Sequence, residues 1–166
     1  PPAYRLAVTR HRARLGGRDL DYTVTCGTIV LKEESEKDGK AESDKARATV
    51  FFVAYTLDGA GPESRPVTFS FNGGPGSSSV WLHLGLLGPK RVELDDEGYA
   101  PPPPGRLVDN EHSLLDRSDL VFIDPVGTGF SRMVAGEKVA EFHEYKRDLE
   151  SVGEFVRLYC SRYVRW

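Results

Sequence analysis

The run from Phe69 to Ser79, FSFNGGPGSSS, constrains this chain more than any other stretch of it. Val67 to Phe71 is short and mostly apolar, as a strand buried on both faces should be. Gly73, Gly74, Pro75 and Gly76 follow at once, and a helix is predicted from Ser78 to Leu87, stopped by Gly88 and Pro89. A strand that ends in glycines and resumes as a helix leaves free backbone N–H groups, and the missing Cβ atoms let a ligand come close. In open α/β sheets such ligands gather at the carboxyl ends of strands. The turn therefore predicts a place that stabilises negative charge. At this level a phosphate cradle, an oxyanion hole and a structural turn all remain open.

Composition narrows the partners. A chain of 166 residues that is 39% hydrophobic and 28% charged has the size and make-up of one globular domain. Its net charge of −3 provides no basic footprint, so neither nucleic acid nor an anionic membrane surface is expected as partner. No apolar run approaches the roughly 20 residues of a membrane span. The start, Pro1-Pro2-Ala3-Tyr4-Arg5, has no secretory h-region and no initiator Met, which reads as a processed or trimmed product. Cys26 and Cys160 are either two thiols or one bridge, since sequence cannot show that they meet. His11, His83, His112 and His143 lack ligand spacing, so no metal and no cofactor is expected.

Along the chain, Tyr22–Thr25 and Thr28–Leu31 read as strands flanking a bend or bulge at Cys26-Gly27. Ala48 to Leu57 is rich in β-branched and aromatic residues and is predicted as a strand. Between them, 11 of the 16 residues from Lys32 to Arg47 are charged, which predicts a mobile hairpin loop. Arg91 to Leu94 with the turn Asp95 to Gly98 suggests a surface hairpin, and Pro101 to Pro104 a stiff spacer. Asp119 to Ile123 is a second buried strand. Phe142, Tyr145, Leu149, Val152, Val156, Tyr159 and Tyr163 recur at steps of three and four, an apolar stripe on a long helix. Hairpins followed by strand–helix–strand–helix order predict an α/β sheet with an antiparallel edge.

The phosphate readings match poorly. Ser79 stands where a dinucleotide fingerprint needs its third glycine, and no Lys-Ser or Lys-Thr follows the turn. An oxyanion hole fits better, because hydrolases with such sheets place one backbone donor in a glycine-rich loop after a strand. NGGPGSSS, together with FIDPVGTGFS at Phe122 to Ser131 about fifty residues on, closely resembles the serine carboxypeptidase family. The resemblance covers Val67 to Arg132 strongly, and extends more loosely back to Tyr22 and forward to Trp166. It implies a partial α/β-hydrolase sheet with antiparallel N-terminal strands and flanking helices. It also implies a peptide substrate, and a secreted or periplasmic setting. On the matching positions it assigns the oxyanion-hole N–H to Gly74, and the grip on the peptide's terminal carboxylate to Asn72 and Gly73. An amide N–H₂ and a backbone N–H suit a carboxylate, which accepts several hydrogen bonds.

Two positions depart from the family pattern. Leu86 stands where a Glu usually belongs to a carboxyl pair that grips the substrate carboxylate at acid pH, and Ser77 replaces a disulfide-bonded Cys. More consequential, no Gly-x-Ser-x-Gly nucleophile elbow occurs anywhere in the sequence. Ser77, Ser78 and Ser79 read as helix-cap and first-turn residues. The expectation is therefore an amino-terminal portion of a peptidase, inactive alone, whose nucleophile comes from the remainder of the polypeptide or a second processed chain. The alternatives are an esterase or acyltransferase of the same fold, a phosphate-binding module, and an interaction module docking through the Phe142–Tyr163 stripe.

Overall fold

The computed structural model describes residues 4–37, 40–73, 76–136 and 145–166. The fold is mixed α/β. Strands β1 (Arg5–Leu15), β2 (Arg18–Lys37) and β3 (Lys40–Leu57) make an antiparallel meander. β4 (Val67–Ser70) leads through the glycine turn into a short helix, α1 (Val80–Leu82), which continues as a π-helical turn at His83–Leu87. β5 (Lys90–Val92) and β6 (Leu107–Asp109) pair as a small separate sheet. β7 (Asp119–Ile123), β8 (Arg132–Met133) and the long helix α2 (Tyr145–Tyr163) complete the described elements. The main sheet has the order β1-β2-β3-β7-β4, with β8 also on β3. β7 runs antiparallel to β3 and parallel to β4.

Alternation along the strands divides the core in two. On β3, Phe52 and Ala54 join Ile29, Leu31, Val121 and Ile123 beneath α2, whereas Val53 and Tyr55 face Tyr22, Leu120 and Phe122 on the other side. A period of two places these sets on opposite faces of the sheet. Leu82 and Leu87, from α1 and its π-turn, cover the second face with Leu115. All five residues of β7 are buried, so the DLVFI run is apolar because both faces are covered.

Several expectations change in the folded chain. β2 passes straight through Cys26-Gly27, in register with Leu6 on one side and Phe52 on the other, so the expected bend is absent. Gly27 is needed for contact instead, since a Cβ there would lie 1.8 Å from the Arg5 carbonyl oxygen. The ladder irregularities fall later, between Leu31 and Lys32 and between Glu33 and Ser35. The charged segment Lys32 to Arg47, expected as a loop, has a paired backbone out to Lys37 opposite Lys40, with residues 38 and 39 outside the described set. The Asp95–Gly98 turn forms, closed by the Gly98 N–H on the Asp95 carbonyl and the Asp95 N–H on the Tyr99 carbonyl, both at 3.0 Å, while the strand β5 pairs with β6 beyond the proline run. Cys26 and Cys160 carry free thiols.

The stripe on α2 packs on the core, with Phe155 joining it and Leu149 left out. Val152, Phe155, Tyr159 and Cys160 are buried, while Leu149 is 48% exposed; Phe142 lies outside the described residues. Aromatic geometry selects this face. Phe155 and Tyr159 meet Phe52 edge-on at 5.6 and 5.7 Å, and Phe69 meets Tyr159 at 5.5 Å. The buried part of the stripe is thus spent on the sheet.

At the amino end of β7, the buried carboxylate of Asp119 accepts from Arg65 Nε at 3.0 Å, Arg165 Nη2 at 2.6 Å and the Leu57 N–H at 3.1 Å. Val164, at φ 52°, ends α2 in the left-handed region and turns Arg165 back onto Asp119. That conformation is costly for a β-branched residue, and the ion pair is what offsets it. Replacing Asp119 by Ala strands two guanidinium groups in the interior, and a loss of about 3–5 kcal/mol is expected. Urea unfolding measures it, with Asp21→Ala as the exposed comparison, for which little change is expected.

His83 is the other polar group enclosed by the fold. Its Nε2 bonds the Tyr55 hydroxyl at 2.5 Å and its ring stacks on Phe122 at 4.6 Å. Burial lowers its pKa from 6.5 to about 4, outweighing the opposing pull of Asp124. The unfolded chain therefore binds this proton more readily. The contribution is complete above pH 6.5 and is lost as the pH falls towards 4, amounting to at most roughly 3 kcal/mol. Between pH 7.5 and 4.5 the wild type should lose about 2 kcal/mol more than His83→Leu. Equal losses in urea titrations of the two proteins would refute the assignment.

Candidate active site

β4 stops at Ser70 because the glycines that follow cannot sustain a strand, and the chain emerges at the carboxyl end of the sheet. Phe71 and Gly73 are exposed there, and Asn72 is half-buried. A Cβ on Gly73 would meet nothing within 4 Å, so open space faces this part of the turn. Gly76, at φ +117°, takes a backbone conformation that L side chains rarely adopt, and carries the chain round towards α1. Gly74, the predicted oxyanion donor, lies outside the described residues together with Pro75.

Ser79 fastens the far end of the turn. It is buried, its hydroxyl donates to the Ile123 carbonyl, and its Oγ accepts the Asn72 N–H at 3.4 Å. Its own N–H donates to Asp124 Oδ1 at 2.9 Å. The residue precedes α1 as expected of an N-cap, but its side chain bonds β7 and does not cap the helix. The N–H at this helix start is already satisfied by a resident carboxylate.

Asp124 follows directly on β7. Its second carboxylate oxygen accepts the Phe130 N–H at 3.1 Å. Gly129, at φ +45°, leaves room for this: a Cβ there would sit 1.9 Å from Asp124 Oδ2. The segment from Asp124 to Ser131 is an excursion from the β3 ladder, which β7 leaves at Phe52 and β8 rejoins at Thr49. Ser131 fills the gap, accepting the Phe51 N–H at 2.7 Å and donating to the Asp124 carbonyl at 2.6 Å. The two motifs that are fifty residues apart in sequence therefore meet through Ser79 and Asp124.

These bonds also engage two serine hydroxyls, and a neighbouring bond engages one imidazole. Ser79 and Ser131 are buried with their hydroxyls committed to carbonyls. His83 is engaged by Tyr55, and among the described residues no serine hydroxyl bonds an imidazole. Leu86, at the position where the family resemblance implies a Glu, is 57% exposed. Ser79, Asp124 and Ser131 are the site residues that sequence reasoning passed over. The pairing of the two motifs was the one signal that could have found them. A cavity of about 300 Å³ beside Asp119, Tyr163 and Arg165 lies at the opposite end of β7, away from the turn.

With this geometry in place, comparison with known proteins is informative. The serine carboxypeptidase family model matches residues 36–163. The pheromone-processing carboxypeptidase KEX1 of Saccharomyces cerevisiae is 35% identical over 142 residues, covering 84% of this chain and 18% of that protein. The protein of the same name from Lachancea thermotolerans is 33% identical over 152 residues, covering 89% of this chain and 17% of the relative. The chain thus spans about a fifth of the length of the curated relatives it matches. On the strength of this match, the chain belongs to the serine carboxypeptidase family.

Proposed function

We propose that this chain forms the oxyanion-side wall of a serine carboxypeptidase active site. In this reading the Gly74 N–H stabilises the tetrahedral oxyanion, and Asn72 and Gly73 hold the terminal carboxylate of a peptide substrate. The serine nucleophile is supplied by sequence beyond these 166 residues, in the same polypeptide or a second processed chain, and without it the segment is inactive. The observation that carries the reading is the position of the turn. Asn72 and Gly73 emerge beside the carboxyl end of buried β7, held by Ser79, with open space before Gly73. Asn72 also buries its Oδ1 atom without a hydrogen-bond partner among the described residues. Stability alone does not favour such an arrangement.

The free edge of β4 supports a further part of this reading. Among the described residues β4 pairs with β7 alone, and a parallel edge strand calls for another strand alongside it. The rest of the polypeptide would fill that edge. A phosphate-binding role has less support, since Ser79 stands where a dinucleotide fingerprint needs its third glycine and no Lys-Ser or Lys-Thr follows the turn.

A second reading, an esterase or acyltransferase of the same fold, is favoured by one observation. The exposed Leu86 offers no carboxyl group to share a proton with a substrate carboxylate. Substrate pairs separate the two readings in the full-length protein. Under the carboxypeptidase reading, Asn72→Ala should lower kcat/KM for peptides with a free C-terminus by about 10- to 100-fold, with little effect on the matching C-terminal amides or esters. Equal losses on both would favour the esterase reading. A fluorophosphonate probe should label a serine outside residues 1–166. Label on Ser77, Ser78, Ser79 or Ser131 would overturn the proposed division of the site.

A further inference from the structure

We infer that Asp124, acting with Ser79, is a positioning residue for the acyl-transfer site: its carboxylate clamps the glycine turn to the end of β7. The inference rests on the reading of that turn as the oxyanion wall. Three bonds make the clamp. Asp124 Oδ1 takes the Ser79 N–H at 2.9 Å, the Ser79 hydroxyl bonds the Ile123 carbonyl, and Ser79 Oγ takes the Asn72 N–H at 3.4 Å. Both ends of the turn are thereby referred to one buried strand. Asp124 Oδ2 and the Asp124 carbonyl then tie in Phe130 and Ser131, so the two loops at this end of the sheet share a single anchor.

The chemistry of that anchor is informative. At the other end of β7, Asp119 is compensated by two guanidinium groups. Asp124 is equally enclosed, yet among the described residues its carboxylate is held by neutral backbone N–H donors. A neutral side chain would fill the same space with a smaller desolvation cost. What the carboxylate adds is stiffness, because it accepts from both loops at once, one oxygen to each, where an amide would leave one N–H unpaired. Stiffness is what an oxyanion donor needs, since its value depends on being in place before the charge develops. Gly129 fits the same purpose, because any side chain there would displace the carboxylate.

The test uses the full-length protein carrying Asp124→Asn, which preserves shape but orphans one of the two backbone N–H groups. Expected is a fall in kcat of about 10- to 100-fold with KM changed by less than about threefold. Native-state hydrogen exchange should accelerate about tenfold or more at the amides between Asn72 and Ser79. Asp119→Ala, at the far end of the same strand, should lower global stability while leaving both readouts of the folded protein unchanged. Should Asp124→Asn fail to accumulate, Ser79→Ala removes the Oγ links, keeps the carboxylate, and should move both readouts in the same direction. Exchange between Asn72 and Ser79 as slow as in the wild type would overturn the inference. So would a kcat loss matched by Asp119→Ala. A wild-type protein without hydrolase activity would instead sink the acyl-transfer reading, and the exchange comparison would still decide whether Asp124 holds the turn.

Discussion

The fold hangs on β7, which is covered on both faces and paired on both edges, antiparallel to β3 and parallel to β4. A five-residue strand so enclosed has nowhere to put charge except at its ends, and a buried aspartate stands at each. Asp119 is neutralised by Arg65 and Arg165, drawing the end of β3, the approach to β4 and the last residues of the chain into one knot. Asp124 is satisfied by backbone N–H groups and draws the two glycine-rich loops together. The two ends use different physics. Ion pairing at one secures the scaffold, and directed hydrogen bonds at the other secure the site.

That division accounts for the shape of the candidate site. The Asp124 N–H still bonds the Phe51 carbonyl at 3.0 Å as the chain leaves the β3 ladder after Ile123, and the Ser131 hydroxyl takes the Phe51 N–H that is left. On the same side, the π-helical turn lays His83 against Phe122 and Tyr55, closing the second core face directly under α1. A neutral imidazole in that place makes the support of the site sensitive to acid, since burial holds its pKa near 4.

Family membership fits the same geometry. The matched region, residues 36–163, takes in β7, both glycine-rich loops and all of α2. The chain also overlaps only about a fifth of the curated relatives.

Much of this was legible in the residues themselves. Glycine spacing marks the turn, five consecutive apolar or end-capping residues mark β7, and the two motifs together identify the family, because each depends on local backbone chemistry. The Lys32–Arg47 segment and the Cys26-Gly27 bend were misread, since charge density and glycine report solubility and flexibility without saying whether a partner strand is present. On the helix stripe, Val152, Val156, Tyr159 and Tyr163 pack on the core as the spacing predicts, while Leu149 is exposed and Phe155 joins instead, because only the aromatic partners on the sheet choose among equally apolar residues. Asp124 and Ser79 were hidden for the same reason. An aspartate after a strand and a serine before a helix are ordinary in sequence. Only the parallel pairing of β4 with β7 brings them within 2.9 Å and turns two loop ends into one clamp.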